Sequence, residues 1–171
     1  RKVINQLNKD INNTIKTSDN FQLTMKTKLL ALTYSAWSEA QFSQIIYTPS
    51  AFSESEIIEI IRVRKFGITA GWKRLIKISI NKIDASDSIK NTKKSQLDNY
   101  IDTYIFKQSQ IRNKIAHGEW LNVLENDEAK ATDFNQRLNN LNVVDIMIEF
   151  QVHTTIGKII RDLVQSPNNG F

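Results

Sequence analysis

The chain is predicted to fold as an all-α, antiparallel helical bundle of about five helices in a single domain. Three observations predict this. Apolar residues recur at intervals of three and four through most of the 171 residues, the spacing that builds one helix face. Only 5 Gly and 2 Pro interrupt them, too few for a many-turned β fold. No segment alternates apolar and polar residues convincingly. "RLIKISINKI", 74–83, is the one place where a strand competes with a helix.

The elements follow in order. Residues 1–17 form an Asn- and Lys-rich helix with Val3, Ile4, Leu7, Ile11 and Ile15 at helical spacing. Ser18-Asp19-Asn20 supplies cap chemistry for the next. From Phe21 to Tyr47 a strong stripe runs through Leu23, Leu30, Tyr34, Trp37, Gln41 and Ile45, and Thr48-Pro49-Ser50 stops it, since proline restricts the residue before it. Ser53 and Glu56 are spaced as a capping box opening a third helix. Gly67 and Gly71 weaken its middle and predict a break. "DASDSIKNTKKS", 84–95, reads as a polar loop. A fourth helix carries Leu97, Ile101, Tyr104, Gln108, Ile111 and Ile115, alternating steps of four and three. Residues 118–140 are irregular in pattern. The last helix carries Leu141, Val144, Ile148, Val152, Ile156, Ile159 and Leu163, and 166–171 are expected to fray.

Composition excludes several chemistries. There is no cysteine, so no disulfide framework, zinc–thiolate site or thiol nucleophile is possible. Two histidines are too few for a histidine-rich metal cluster, and no metal or cofactor is expected. Glycines are too scattered for a dinucleotide or phosphate-loop fingerprint. No apolar run is long enough to span a membrane and no signal pattern opens the chain, so a cytoplasmic location is expected. The chain begins at Arg1 rather than Met, as a trimmed piece of a longer protein would. A formal net charge of +5 suits a polyanionic partner without requiring one.

What remains is "SQIRNKIAHGEW", residues 109–120. Asn113 and His117 stand four apart, within about 40° on a helix surface, while Arg112 is offset from His117 by about 140°. The arginine must therefore swing round, or the last turn must unwind, for the two to meet. Gly118 suits the left-handed position that ends a helix. Imidazole is the side chain best fitted to move protons near neutral pH. The bland reading is equally concrete: basic residues and histidine followed by glycine commonly satisfy the carbonyls of a last turn.

Arg112-Asn113-Lys114-Ile115-Ala116-His117 resembles the R-x4-6-H signature of the HEPN superfamily, small helical bundles found across bacterial toxin and defence systems. More weakly, "LLALTYSAWSEAQFSQII" is similar to the aromatic helix that precedes the motif helix in microbial members. The resemblance implies a metal-independent RNA endonuclease, dimeric, with two motifs facing each other across a twofold axis. It implies that His117 moves protons at the ribose 2′-OH or the departing 5′-oxygen. Arg112 would hold the scissile phosphate, and Asn113 would position the phosphate or the ring. The products would be a 2′,3′-cyclic phosphate and a 5′-hydroxyl. An RNA substrate, a second copy and a cognate antitoxin or other defence protein are the implied partners.

Other residues carry paired readings. Glu39, on the second helix, either orients Arg112 or His117 or is a solvated charge. Trp37 and Trp72 read as core or interface anchors, and Trp120 either floors a cleft or stacks a base. His153 reads as a hydrogen-bonded structural histidine. Arg62, Arg64, Lys65, Lys73, Arg74 and Lys77 form either an RNA-contacting band or an ordinary solvated face, and Lys114 is a further candidate for backbone contact. Two competing functions stay open. One is a non-catalytic HEPN-like module binding RNA, a nucleotide or a protein; the other is a helical interaction domain whose motif is only a helix cap.

Overall fold

The computed structural model describes residues 1–120 and 128–166. Among them every regular element is helical: α1 (Lys2–Thr17), α2 (Asn20–Ile46), α3 (Glu54–Arg64), α4 (Ile68–Asn81), α5 (Asp87–Tyr100), a π-helical segment (Ile101–Phe106), α6 (Lys107–Ala116), α7 (Glu128–Asn139) and α8 (Val143–Gln165). The all-α expectation holds, and "RLIKISINKI" is helical through Asn81, with Leu75, Ile76, Ser79 and Ile80 buried along one helix face.

More elements form than the five expected. Gly67 breaks the third helix with φ at 126°, a backbone region closed to ordinary side chains, and serves as N-cap of α4. The stretch 84–95 is mostly helix, not loop. Ser86 caps α5 by accepting from the Ile89 N–H at 3.5 Å, and Lys94 pairs with Asp98 one turn on. Only Leu97 of α5 is buried, so its periodicity is silent in sequence. Similarly α7 buries only Leu138. Residues 121–127 of the irregular stretch, and the expected fraying beyond Ser166, lie outside the described residues.

Contacts divide the chain into two compact units. The first, Arg1–Trp37 with Gln108–Phe150, centres on Ile4, Ile11, Leu30, Tyr34, Ile111, Ile115, Ile146 and Phe150. Tyr34 and Phe150 meet edge to face at 6.2 Å, and Trp37 lies 4.6 Å from Phe150. The second, Ser38–Lys107 with Gln151–Phe171, packs α4 against α3, α5 and the π segment around Phe42, Ile60, Trp72 and Ile76. Gly157 belongs here: a Cβ on it would lie 2.6 Å from Cδ of Gln41, so any side chain at this position requires the Gln41 amide to move.

Two stripes differ from expectation. In α8, Val144 and Ile148 are 62% and 50% exposed, while Ile146 and Phe150 are buried instead. In the fourth predicted helix the buried row is Leu97, Ile101, Ile105, Gln108, Ile111 and Ile115, with Ile105 taking the place assigned to Tyr104. The π segment supplies the reason, since its wider turn shifts the inward residue by one.

Candidate functional site

The motif occupies the end of α6, in the first unit. Ile111 and Ile115, 3% and 1% exposed, fix the inner face of this helix, each contributing roughly 1.5–3 kcal/mol through burial. The opposite side carries Asn113 and His117, both exposed, with Arg112 half-buried on the flank.

The helix stays regular to its end. The His117 N–H donates to the Asn113 carbonyl at 3.1 Å. Gly118, at φ 87°, then turns the chain. Its N–H donates to the Ile115 carbonyl at 3.1 Å, and the Glu119 N–H reaches back to the Lys114 carbonyl at 3.0 Å. These two bonds form a Schellman motif, in which a left-handed residue satisfies the last orphan carbonyls. His117 is the residue just before that turn, and its side chain is exposed.

Because the last turn does not unwind, the 140° offset must be closed by the arginine. Arg112 Nη1 donates to Asn113 Oδ1 at 3.0 Å, a first step in that direction. The guanidinium is thus drawn to the side of its own helix that carries Asn113 and, one turn on, His117. Asn113 and His117 are exposed and Arg112 is half-exposed.

The neighbouring candidates are already engaged. Lys114 Nζ lies 3.5 Å from Glu119 Oε2 and 5.4 Å from the centre of the Phe134 ring, so it clamps the helix end to α7. Trp120 is half-buried against the first core, in line with a floor or anchor. Its carbonyl accepts from Nζ of Lys28. Lys28 is a residue the sequence reading missed. It is 3% exposed on α2, and burial lowers its pKa. Its only sequence signal is its place between Thr27 and Leu30, where a charge on the inner side is unexpected.

The remaining candidates belong to the second unit. Glu39 lies 3.4 Å from the Arg64 guanidinium. Lys73 pairs with Asp102 of the π segment at 2.7 Å, and Arg74 pairs with Glu59. Half of the expected basic band is therefore tied into ion pairs, leaving Arg62, Lys65 and Lys77 exposed. His153 is fully buried, with Nε2 3.4 Å from Ser38 Oγ and its ring 4.8 Å from that of Trp72. Burial pushes its pKa down from 6.5 to about 3, so at neutral pH it is an uncharged structural group, as the sequence suggested.

Among the described residues no group of three or more His, Asp or Glu side chains is placed to hold a metal ion, and no helix is long and apolar enough to cross a membrane. No protein-family model, curated protein or solved structure matches the chain.

Proposed function

We propose that the chain is a metal-independent, HEPN-like endoribonuclease, with Arg112, Asn113 and His117 as its working residues. The observation that carries the reading is the Arg112–Asn113 bond, which turns the guanidinium toward the side of α6 shared with His117. A planar, permanently charged donor on the same helix end as an exposed imidazole suits the phosphodiester of RNA.

In the proposed reaction His117 takes the proton from a ribose 2′-OH as that oxygen attacks phosphorus. The bond from phosphorus to the 5′-oxygen breaks, and that oxygen leaves with a proton from an imidazolium. A 2′,3′-cyclic phosphate and a 5′-hydroxyl result. Arg112 offsets the charge gathering on the phosphoryl oxygens, and Asn113 holds the guanidinium in place. The buried His153 is no candidate for the second proton carrier, so a second copy of the chain supplies it, which makes the active species a homodimer. An effector of a toxin–antitoxin or phage-defence system, restrained by a cognate antitoxin, is the setting such an activity fits.

The test is a cleavage gel with excess EDTA. Wild type should cut RNA to cyclic-phosphate ends, whereas His117→Ala and Arg112→Ala should not, with unchanged circular dichroism. RNA carrying a 2′-deoxy ribose at the cut position should survive. Cutting that EDTA abolishes would refute the mechanism.

A second reading has its own observation. The Schellman motif accounts for Gly118 and the backbone of this stretch without any chemistry. On that reading Arg112 and Asn113 grip a phosphate and nothing is cut. RNA that binds tightly, loses affinity with Arg112→Ala and remains intact on long incubation would decide for it.

A further inference from the structure

The first helix carries a charge pattern that the motif does not use. Projected at about 100° per residue, Ile4 and Ile11 of α1 point into the first core, and Lys2, Lys9 and Lys16 lie within about 50° of the opposite pole and within about 40° of one another. Asn5 and Asn12 flank the lysines on one side, Gln6 and Asn13 on the other, and all seven are exposed. Asp10, the one acid of α1, stands outside this face and accepts a hydrogen bond from Gln6.

Ordinary solvated helices intersperse acids among their bases. The second unit does so, with Arg64, Arg74, Lys73, Lys82 and Lys94 each facing a carboxylate. On α1 none of the three lysines has an acidic partner among the described residues. The result is a row of three cations at steps of about 10 Å, edged by amides that both donate and accept hydrogen bonds. That combination matches a nucleic-acid strand, whose phosphates take the lysines while its sugar hydroxyls meet the amides.

We infer that the outer face of α1 is the docking track for single-stranded RNA, which it holds along about 21 Å of helix. The inference rests on the ribonuclease reading for the identity of the polymer and extends it by saying where the strand lies. Ile4 and Ile11 share one hydrophobic core with Ile111 and Ile115 of the motif helix, so the track and the motif belong to one packed unit. Toward its C-terminal end, α1 lines a cleft of about 340 Å3 bordered by Asn13, Thr14, Thr17 and Lys26, with Asp10. Lys26 Nζ, 2.7 Å from Thr14 Oγ1, adds a fourth cation there.

The experiment measures binding of a fluorescent, fully 2′-O-methylated oligouridine, which has no free 2′-OH to attack, by anisotropy across a potassium chloride series. Each single-strand phosphate contact contributes about 0.7 to the slope of log affinity against log salt. The triple variant Lys2→Gln, Lys9→Gln, Lys16→Gln should therefore lower the slope by about 2, which removes about twentyfold of the affinity change over a fourfold range of salt. The matched variant Arg62→Gln, Lys65→Gln, Lys77→Gln removes the same charge elsewhere and should leave the slope near wild type. Equal losses in both variants, no loss in the first, or no binding by wild type would each overturn the track. So would unchanged RNA binding with lost binding to phosphatidylserine vesicles, which would make the face a membrane contact. Cleavage is scored separately on unmodified RNA: a stripe-dependent slope without cutting upholds the track and refutes the nuclease.

Discussion

Lowering the pH from 7 to 4 should destabilise the protein through one buried ring. His153 is fully enclosed in the second unit and its pKa falls from 6.5 to about 3. Below pH 6.5 the unfolded chain takes up a proton that the folded chain refuses until about pH 3. The neutral ring's contribution is therefore whole above pH 6.5 and is lost as the pH falls toward 3. Inside that window each pH unit costs about 1.4 kcal/mol, or about 5 kcal/mol over its full width. The assay is equilibrium urea unfolding of wild type and His153→Gln at matched pH values. Glutamine keeps a hydrogen-bonding group for Ser38 but cannot titrate. Carboxylates such as Glu56, whose pKa is lowered in the folded chain, act on both proteins alike and cancel in the difference. Wild type should lose about 3 kcal/mol more than the variant between pH 7 and 4. Parallel curves would refute the argument, because they would mean that the ring is solvated enough to titrate normally.

Two further substitutions test the backbone. Gly118→Ala should cost about 1 kcal/mol by urea unfolding and Gly118→Asn less, because a Cβ there meets nothing within 4 Å and only the positive φ of 87° is strained. Gly157→Ala should cost about 1–3 kcal/mol, because the new methyl overlaps Gln41. In a Gln41→Ser background the same change should cost under about 1 kcal/mol, a coupling that a double-mutant cycle reads directly.

Much of the architecture was legible where a local rule has a single physical cause. The Ser53–Glu56 capping box is present, with Ser53 N–H donating to Glu56 Oε2 at 2.8 Å and Glu56 N–H to Ser53 Oγ at 3.3 Å. The break at Gly67 and the stop before Pro49 fall where backbone sterics require them. Elements that bury one residue, α5 and α7, were not legible, because a periodicity needs several apolar positions to be seen. The exposed Val144 and Ile148 show the converse: a repeat in sequence says that a face exists and not which face finds a partner. At the site, the helix end and its glycine were readable. The Arg112–Asn113 bond was foreseen only as a need to close an angle, and the buried Lys28 beneath Trp120 depends on residues 92 positions apart.

The glycine turn after α6 has an energetic consequence for the ring just before it. Ordering one residue's backbone costs about 1–2 kcal/mol. A histidine on a loose tail would meet that charge each time it engaged a substrate, which is about tenfold in rate or more. His117 has met it during folding, through the carbonyls of Ile115 and Lys114, and only its two side-chain torsions remain to be set. If His117 carries the proton as proposed, a helix stop and a pre-positioned ring are compatible uses of the same glycine. On the proposed reading, stiffening this corner further should matter little, whereas loosening it should slow the reaction before it unfolds the chain.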